Sequence, residues 1–372
     1  MPTPTVRTIR THRVRPSSLC ATTAPADSPC ATGGAAQYGD GMAEDGARGA
    51  VEMEYRQLGD SGLTVSAVGL GCNNFGGRID AERTQQVVDA AVEAGITLFD
   101  TADIYGGAPG QSEELLGRAL GGRRDEVVVA TKFGGDMAGV NGADWGARGS
   151  RRYVRRAVEA SLRRLGTDWI DLYQLHWPDG RTPIEETLAA LHELVLEGKV
   201  RYLGSSNLSG WEVVDADWTA RTSGLTPFVS AQNEYSLLKR DIETELVPAC
   251  ERAGVGILPY FPLASGLLTG KYFRGAGAPE GTRLANRPER LAAADFDRIE
   301  ALEAYAADRG IGLLDVAIGG LAAQPAVGSV IAGATSPEQI RANVTAGAWT
   351  PSAEDLTVLD EIAPAPAGGR GR

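Results

Sequence analysis

The residues that could carry acid–base chemistry sit at the ends of apolar runs. The stretch "FDTADIYGG", beginning at Phe99, puts Asp100 and Asp103 close to Tyr105. Lys132 closes the run "VVVATKFG", and His176 closes "IDLYQLH". A lysine that ends a β-branched strand is buried and therefore needs a partner. Asp100, one strand away, can supply it. A lysine held near a tyrosine favours the phenolate and lowers a pKa that starts near ~10. Tyr105 is then expected to donate a proton near neutral pH, with His176 hydrogen-bonding the same oxygen. The group suits proton donation to a carbonyl while something else delivers hydride. A single aspartate at a strand end is more often a cap than a catalyst, and a lone histidine is usually a core or surface residue. Asp, Tyr, Lys and His at the ends of three consecutive strands are a different matter.

A frame must bring these strand ends together. "MEYRQLG" and "LTVSAVGLG" flank "DSG", a hairpin signal. Strand and helix then alternate eight times, from "AVGLGCN" with "AERTQQVVDAAVEAG" to "VGSVIAGA" with "SPEQIRANV". Ser112 suits the N-cap of "SEELLGRALGG". Near-continuous apolar strands, each followed by a helix, describe a parallel sheet covered by helices. Eight such units predict an α/β fold, a (β/α)8 TIM barrel with an N-terminal β-hairpin and an extra C-terminal helix near 352–362. In a barrel all these strand ends face one mouth. A doubly wound sheet would want a glycine-rich phosphate turn after the first strand, and "GLGCNNFGG" lacks the last glycine in register. "GLLTGKY" resembles a phosphate loop, but its spacing is one residue short and Tyr272 stands where Ser or Thr belongs.

Composition bounds the rest. The chain has 372 residues and a net charge of −12, which argues against a nucleic-acid or anionic-membrane partner. No apolar run approaches the roughly 18 residues of a membrane span. Cys20, Cys30, Cys72 and Cys250 form no CxxC pair, and His12, His176 and His192 lie far apart, so no metal site is expected. These features fit a cytoplasmic protein. Residues 1–52 are rich in Pro, Ala, Thr, Ser and Gly and read as a disordered extension. Residues 53–363 hold the barrel, and 364–372 read as a flexible tail.

The chain from about Met53 to Ile362 resembles the aldo-keto reductase family. The motifs are "FDTADIYG", "VVVATKFG", "LGTDWIDLYQLHWPD", "GSSN", "AQNEYS", "YFPLASGLLTGKY" and "GATSPEQIRANV". The resemblance implies a barrel that reduces carbonyls with a nicotinamide cofactor, usually NADPH. It implies the catalytic set Asp100, Tyr105, Lys132 and His176. By position, Ser206, Asn207 and Gln232 hold the nicotinamide carboxamide, and Tyr260 stacks on its ring. Cys72 and Asn73 end the first barrel strand beside them. Phe261, Pro262, Leu263, Ser265, Lys271 and Arg283 fall in the pyrophosphate loop or near it, and Gly333, Thr335, Gln339 and Asn343 meet the adenosine end. Phe261 stands where Ser is common, which leaves only the backbone to serve. The basic pair that clasps a 2′-phosphate in the best-known branch reads Gly333 and Gln339 here, so Arg341, Arg283 or Lys271 would substitute, and NADH stays open beside NADPH.

Asp103, Trp145 and Trp177 are candidates for the substrate wall. For Asp103 plain loop solvation is the alternative, and Trp177 points away if the strand pleat holds past His176. The expected partner is a small carbonyl compound, with oligomeric state open. Two rival functions remain. Relatives of this family serve as cofactor-bound channel subunits, which would bind without much turnover. A sugar or polyol dehydrogenase would run the same chemistry in reverse.

Overall fold

A computed structural model describes residues 52–366. The expected N-terminal extension, apart from its last residue, and the C-terminal tail from residue 367 onward lie outside the described residues. Strands β1 (Tyr55–Gln57) and β2 (Thr64–Ser66) form an antiparallel hairpin, with Tyr55 opposite Ser66. The eight barrel strands follow as β3 (Val68–Gly71), β4 (Leu98–Asp100), β5 (Val128–Phe133), β6 (Ile170–Leu175), β7 (Val200–Ser206), β8 (Phe228–Glu234), β9 (Gly256–Tyr260) and β10 (Val330–Gly333). They run parallel in the order β10-β3-β4-β5-β6-β7-β8-β9. An isolated parallel bridge between Ile257 and Val327 brings the two ends of the sheet together.

Helices α1 (Ala81–Glu93), α2 (Gln111–Leu120), α3 (Arg151–Leu165), α4 (Ile184–Leu196), α5 (Gly210–Ser223) and α6 (Leu246–Ala253) cover the outside. After β9 come α7 (Pro288–Ala292), α8 (Phe296–Asp308) and α9 (Leu313–Ala322); α10 (Pro337–Gly347) and α11 (Ala353–Ile362) end the fold. The sequence dictates these ends. In α3 the Ser150 hydroxyl accepts from Tyr153 N, and Gly166 closes the helix at φ 66°. Its buried face is Tyr153, Val154, Ala157, Val158, Ser161, Leu162 and Leu165, the stripe a 3.6-residue repeat produces. One expected cap is corrected. Gly110 precedes α2 at φ 89°, and Ser112 lies inside the helix. Its hydroxyl is needed elsewhere, bonded to Cys72 O and Thr101 Oγ1.

The barrel interior is layered by the two-residue repeat of strands. Leu98, Ala130, Leu172, Leu258 and Ile331 form one buried cluster with Leu58, Leu63 and Val65 of the hairpin segment. The hairpin is thus the apolar floor of the barrel. Burying one such leucine is worth about 1.5–3 kcal/mol. Two residues further along the same strands, in the same inward phase, stand Asp100, Lys132 and Gln174, with Gln232 across the barrel. A Cβ on Gly204 would collide with Ser230 Oγ and approach Gln174 Cγ at 3.0 Å, so glycine there leaves room for this polar layer.

Candidate active site

The polar layer is organised around one ion pair. Lys132 is fully buried, and its Nζ donates to Asp100 Oδ2 at 2.6 Å, to Thr101 O at 2.8 Å and to Tyr105 OH at 3.4 Å. Three donors meet three acceptors, which an ammonium needs when water is excluded. The other carboxylate oxygen is also used. Asp100 Oδ1 accepts from Gln232 Nε2 at 2.8 Å and from Gln174 Nε2 at 3.1 Å. Gln174 was not singled out from the sequence. The signal was present, because "LYQLH" places it two residues before His176 on the inward face of β6.

The electrostatics correct one expectation. Burial is the largest influence on Tyr105, and it raises the phenol above its ordinary value. Lys132 pulls the other way, but Asp100 is itself negative and already neutralises that lysine. The net direction is therefore up, not down. For Lys132, burial works against the charge, yet Asp100 and Tyr105 together outweigh it and the ammonium is favoured. His176 is pushed down to about 2, first by burial and then by the Lys132 charge, so its ring is neutral. The ring lies edge-on to Tyr105 with centroids 5.8 Å apart, and its Nδ1 is buried without a partner.

Above this layer opens a cavity of about 720 Å³, a size suited to a cofactor and a small substrate. Asp100, Tyr105, His176, Ser206, Asn207, Gln232 and Tyr260 line one end. Tyr260 OH donates to Asn207 Oδ1 at 2.8 Å, and Asn207 Nδ2 donates to His176 O at 3.1 Å, so these side chains fix one another. Asn207 holds φ 60° to do this. Asn73, Phe261, Pro262, Leu263, Ser265, Lys271, Arg283, Gly333, Thr335, Gln339 and Asn343 line the remainder. Phe261, Ala264 and Ser265 all have positive φ, at 53°, 46° and 62°. Strain concentrated in five residues of a cavity wall is a mark of function.

Residues 67–364 match the model of the aldo/keto reductase family. The chain is an aldo/keto reductase. It is 38% identical over 322 residues to an uncharacterized oxidoreductase, YrpG, of Bacillus subtilis (strain 168), covering 85% of this chain and 98% of that protein. It is 36% identical over 321 residues to a probable voltage-gated potassium channel subunit beta of Arabidopsis thaliana, covering 83% and 95%. It is 34% identical over 325 residues to the L-glyceraldehyde 3-phosphate reductase of Escherichia coli (strain K12), covering 83% and 92%. The enzyme is an NAD(P)H-dependent reductase on the TIM barrel expected from its strand pattern. Among its described residues no helix is long and apolar enough to cross a membrane.

Three named residues of the reductase are not at the cavity. Cys72 is buried in the outer core, and its Sγ faces Leu70 O. β3 ends at Gly71, and the chain turns so that Asn73 rather than Cys72 reaches the opening. Asp103, expected on the substrate wall or in solvent, is 0% exposed and lies behind the site. Trp145 is 67% exposed, with Arg152 over its ring, and stands outside the cavity. Trp177 does line the cavity. β6 ends at Leu175, the pleat is lost, and the indole stacks on His176 with centroids 3.6 Å apart. The Phe261 ring lies under the Arg283 guanidinium, 5.4 Å from its centroid. Of the basic substitutes, Lys271 and Arg283 line the cavity and Arg341 does not. Arg78 and Asn74 line it as well, both missed from the sequence.

Proposed function

We propose that this reductase converts aldehydes or ketones to alcohols using NADPH, with Tyr105 as the proton donor. The observation that carries the reading is the Tyr105 hydroxyl, placed at the cavity 3.4 Å from a fully buried, charged Lys132. A nicotinamide, when bound, would supply the hydride. Tyr105 stays protonated until the carbonyl oxygen acquires negative charge. An alkoxide is a far stronger base than phenolate, so a raised phenol pKa does not prevent the transfer. Lys132 then stabilises the phenolate left behind. His176, neutral and with Nδ1 unpartnered, carries its proton on Nε2 and contributes a hydrogen bond to the substrate oxygen rather than a proton.

The residues present fit a phosphorylated dinucleotide. Arg283 is more than half buried and joins no ion pair among the described residues. Burial, and after it the charges of Arg78 and Arg287, work against its guanidinium. An uncompensated arginine at a cavity wall is a site for an anion such as a 2′-phosphate. Arg78 Nη2 donates to Gly281 O at 2.9 Å and Arg283 Nη2 to Asn74 Oδ1 at 3.2 Å, so both heads are held at the rim. The Phe261–Ser265 segment, with its left-handed residues, suits a pyrophosphate.

Tyr105→Phe tests the reading. It is expected to keep cofactor binding, followed by protein fluorescence, and to lose turnover by on the order of 10²–10⁴-fold. Near-normal rates on any carbonyl would overturn the assignment. Titration with NADPH and NADH, repeated on Arg283→Met, tests the cofactor: the substitution is expected to weaken NADPH alone. The likeness to a protein named as a potassium channel subunit favours a second reading, a cofactor-bound subunit with little turnover. Tight NADPH binding with no turnover on a broad carbonyl panel would select it.

A further inference from the structure

Behind the catalytic pair, on the outer side of β4 and β5, buried polar groups close into a ring. Asp103 N donates to Lys132 O at 3.2 Å. Asp103 Oδ2 accepts from Asn141 Nδ2 at 3.4 Å, and Asn141 Oδ1 accepts from Arg164 Nη1 at 3.1 Å. Arg164 Nε donates to Glu113 Oε2 at 2.6 Å, and Glu113 Oε1 accepts from Thr131 Oγ1 at 2.5 Å. Thr131 precedes Lys132 on β5, where the ring began. Asp103, Glu113 and Thr131 are fully buried. The ring joins the Tyr105 segment, α2, α3 and the long loop between β5 and α3. Asn141 is that loop's contribution. Among the described residues, it alone between Gly135 and Ala143 sends a side-chain hydrogen bond outside the loop.

We propose that Asp103 and Asn141 are positioning residues, and that Asp103 works as a neutral carboxylic acid tying the 134–150 loop to the segment that carries Tyr105. The proposal rests on the Tyr105 reading for its link to turnover. Its first support is the connectivity. Asp103 stands two residues before Tyr105, so whatever fixes its side chain limits where the phenol can go. Its second support is a charge count. Two carboxyls, Asp103 and Glu113, share one cation, Arg164. Glu113 has both oxygens bonded, one of them to the guanidinium. Asp103 Oδ1 has no partner, and an unpaired buried charge costs far more than a neutral acid. The shared deficit of one proton is met at Asp103. The net direction at Asp103 agrees: burial first, then the Glu113 charge, raise it, and together they outweigh Arg164, the Ile104 backbone N–H and Lys132. The Tyr153 and Tyr173 phenols lie near enough to feel the Asp103 charge, which works against their own ionisation. A neutral Asp103 also spares Tyr105 a further negative neighbour.

The test uses the full chain, a reducible carbonyl and three substitutions. Asp103→Asn keeps the shape, the acceptor and a donor, so its kcat and KM are expected within about threefold of the parent. Asn141→Ala removes the loop's tie and is expected to raise KM by roughly tenfold with kcat little changed, since a tenfold effect corresponds to one ordinary buried hydrogen bond. Asp103→Leu breaks both links and is expected to lower kcat as well, by up to about 10², the cost of a small misplacement of a reacting group. Limited proteolysis adds a readout independent of turnover: cleavage within 134–150 is expected to accelerate in Asn141→Ala and Asp103→Leu and not in Asp103→Asn. NADPH binding is expected to be unchanged in all three. If Asp103→Asn is as damaging as Asp103→Leu, the residue acts as an anion and the proposal is wrong. Unchanged KM and unchanged cleavage in Asn141→Ala, which alters a loop side chain and should still fold, would overturn it equally. Failure of the Tyr105 reading is separate, because it leaves the cleavage pattern untouched.

Discussion

Replacing Lys132 by methionine separates what the buried pair does for stability from what it does for turnover. Methionine fills much of the same volume, so the change is chiefly electrostatic. It removes three hydrogen bonds at once and leaves Asp100 charged, buried, and held only by the Gln174 and Gln232 amides. Breaking a buried pair from one side costs about 3–5 kcal/mol. Two remaining amide donors keep this case near the lower end, about 3 kcal/mol. Adding Asp100→Leu removes the orphan charge. It leaves amide donors short of an acceptor, although Gln232 Nε2 still reaches Gln174 Oε1 at 3.2 Å. That residual cost is about 1–2 kcal/mol. The double variant is therefore expected to be more stable than Lys132→Met by roughly 1–2 kcal/mol, and both are expected to lose 10²–10⁴-fold in kcat. Urea unfolding followed by tryptophan fluorescence, alongside oxidation of NADPH on a carbonyl panel, measures the two effects. A Lys132→Met enzyme as stable as the parent, or a double variant that turns over normally, would refute the reasoning.

Other expectations follow from the same geometry. Folded His176 titrates near 2 and an unfolded imidazole near ~6.5, so between those values the unfolded chain binds the extra proton and stability rises with pH. Acidification below ~6.5 is expected to cost about 1.4 kcal/mol per unit from this residue, and His176→Leu, compared with the parent by denaturation at several pH values, should remove that share of the slope. Arg240 bonds Glu243, Asp360 and Ala363 O, so Arg240→Leu is expected to cost about 3–5 kcal/mol, visible in chemical denaturation, with kcat preserved at low temperature. A chain starting at Met53 is expected to match the full chain in melting temperature and activity. One starting at Val65 loses Leu58 and Leu63 from the barrel floor, and is expected to show lower solubility and melting temperature.

The strand ends were legible because their chemistry is one-dimensional. Asp100, Lys132 and His176 each close an apolar run, and a barrel brings such ends to one mouth. Gln174 was equally available to a two-residue count from His176, and was passed over because a glutamine in an apolar run suggests nothing by itself. The failures lie where a strand stops. Past Gly71 and Leu175 the alternation no longer applies, which sent Cys72 outward against expectation and turned Trp177 to the cavity, where it was a candidate that an unbroken pleat would have pointed away. Asp103 illustrates a second limit. Whether a loop carboxylate meets solvent or a buried polar ring closed through Arg164 depends on α3, some sixty residues along the chain, and no local pattern carries that. Tyr105 shows a third. Its neighbours could be named from the sequence, but the degree of burial that decides the direction of its shift could not.

The joint between β9 and β10 gives the molecule an uneven circumference. There the chain is bonded by Ile257 N to Ala326 O at 2.6 Å and Gly328 N to Ile257 O at 2.9 Å, before β10 itself begins; β10 is registered residue by residue only with β3. Such a seam is where a closed sheet opens first, as a sub-global event well short of complete unfolding. Hydrogen exchange in β10 should therefore run ahead of exchange in β5 and β6. The last barrel unit also carries Gly333, Thr335, Gln339 and Asn343 to the cavity, opposite Tyr260 and Phe261 on the other bank of the joint. A dinucleotide lying across both banks would act as a rivet. At a hundred times its dissociation constant it would add about 2.7 kcal/mol to the folded state. Slowed exchange in β10 would mark the place where that energy is stored.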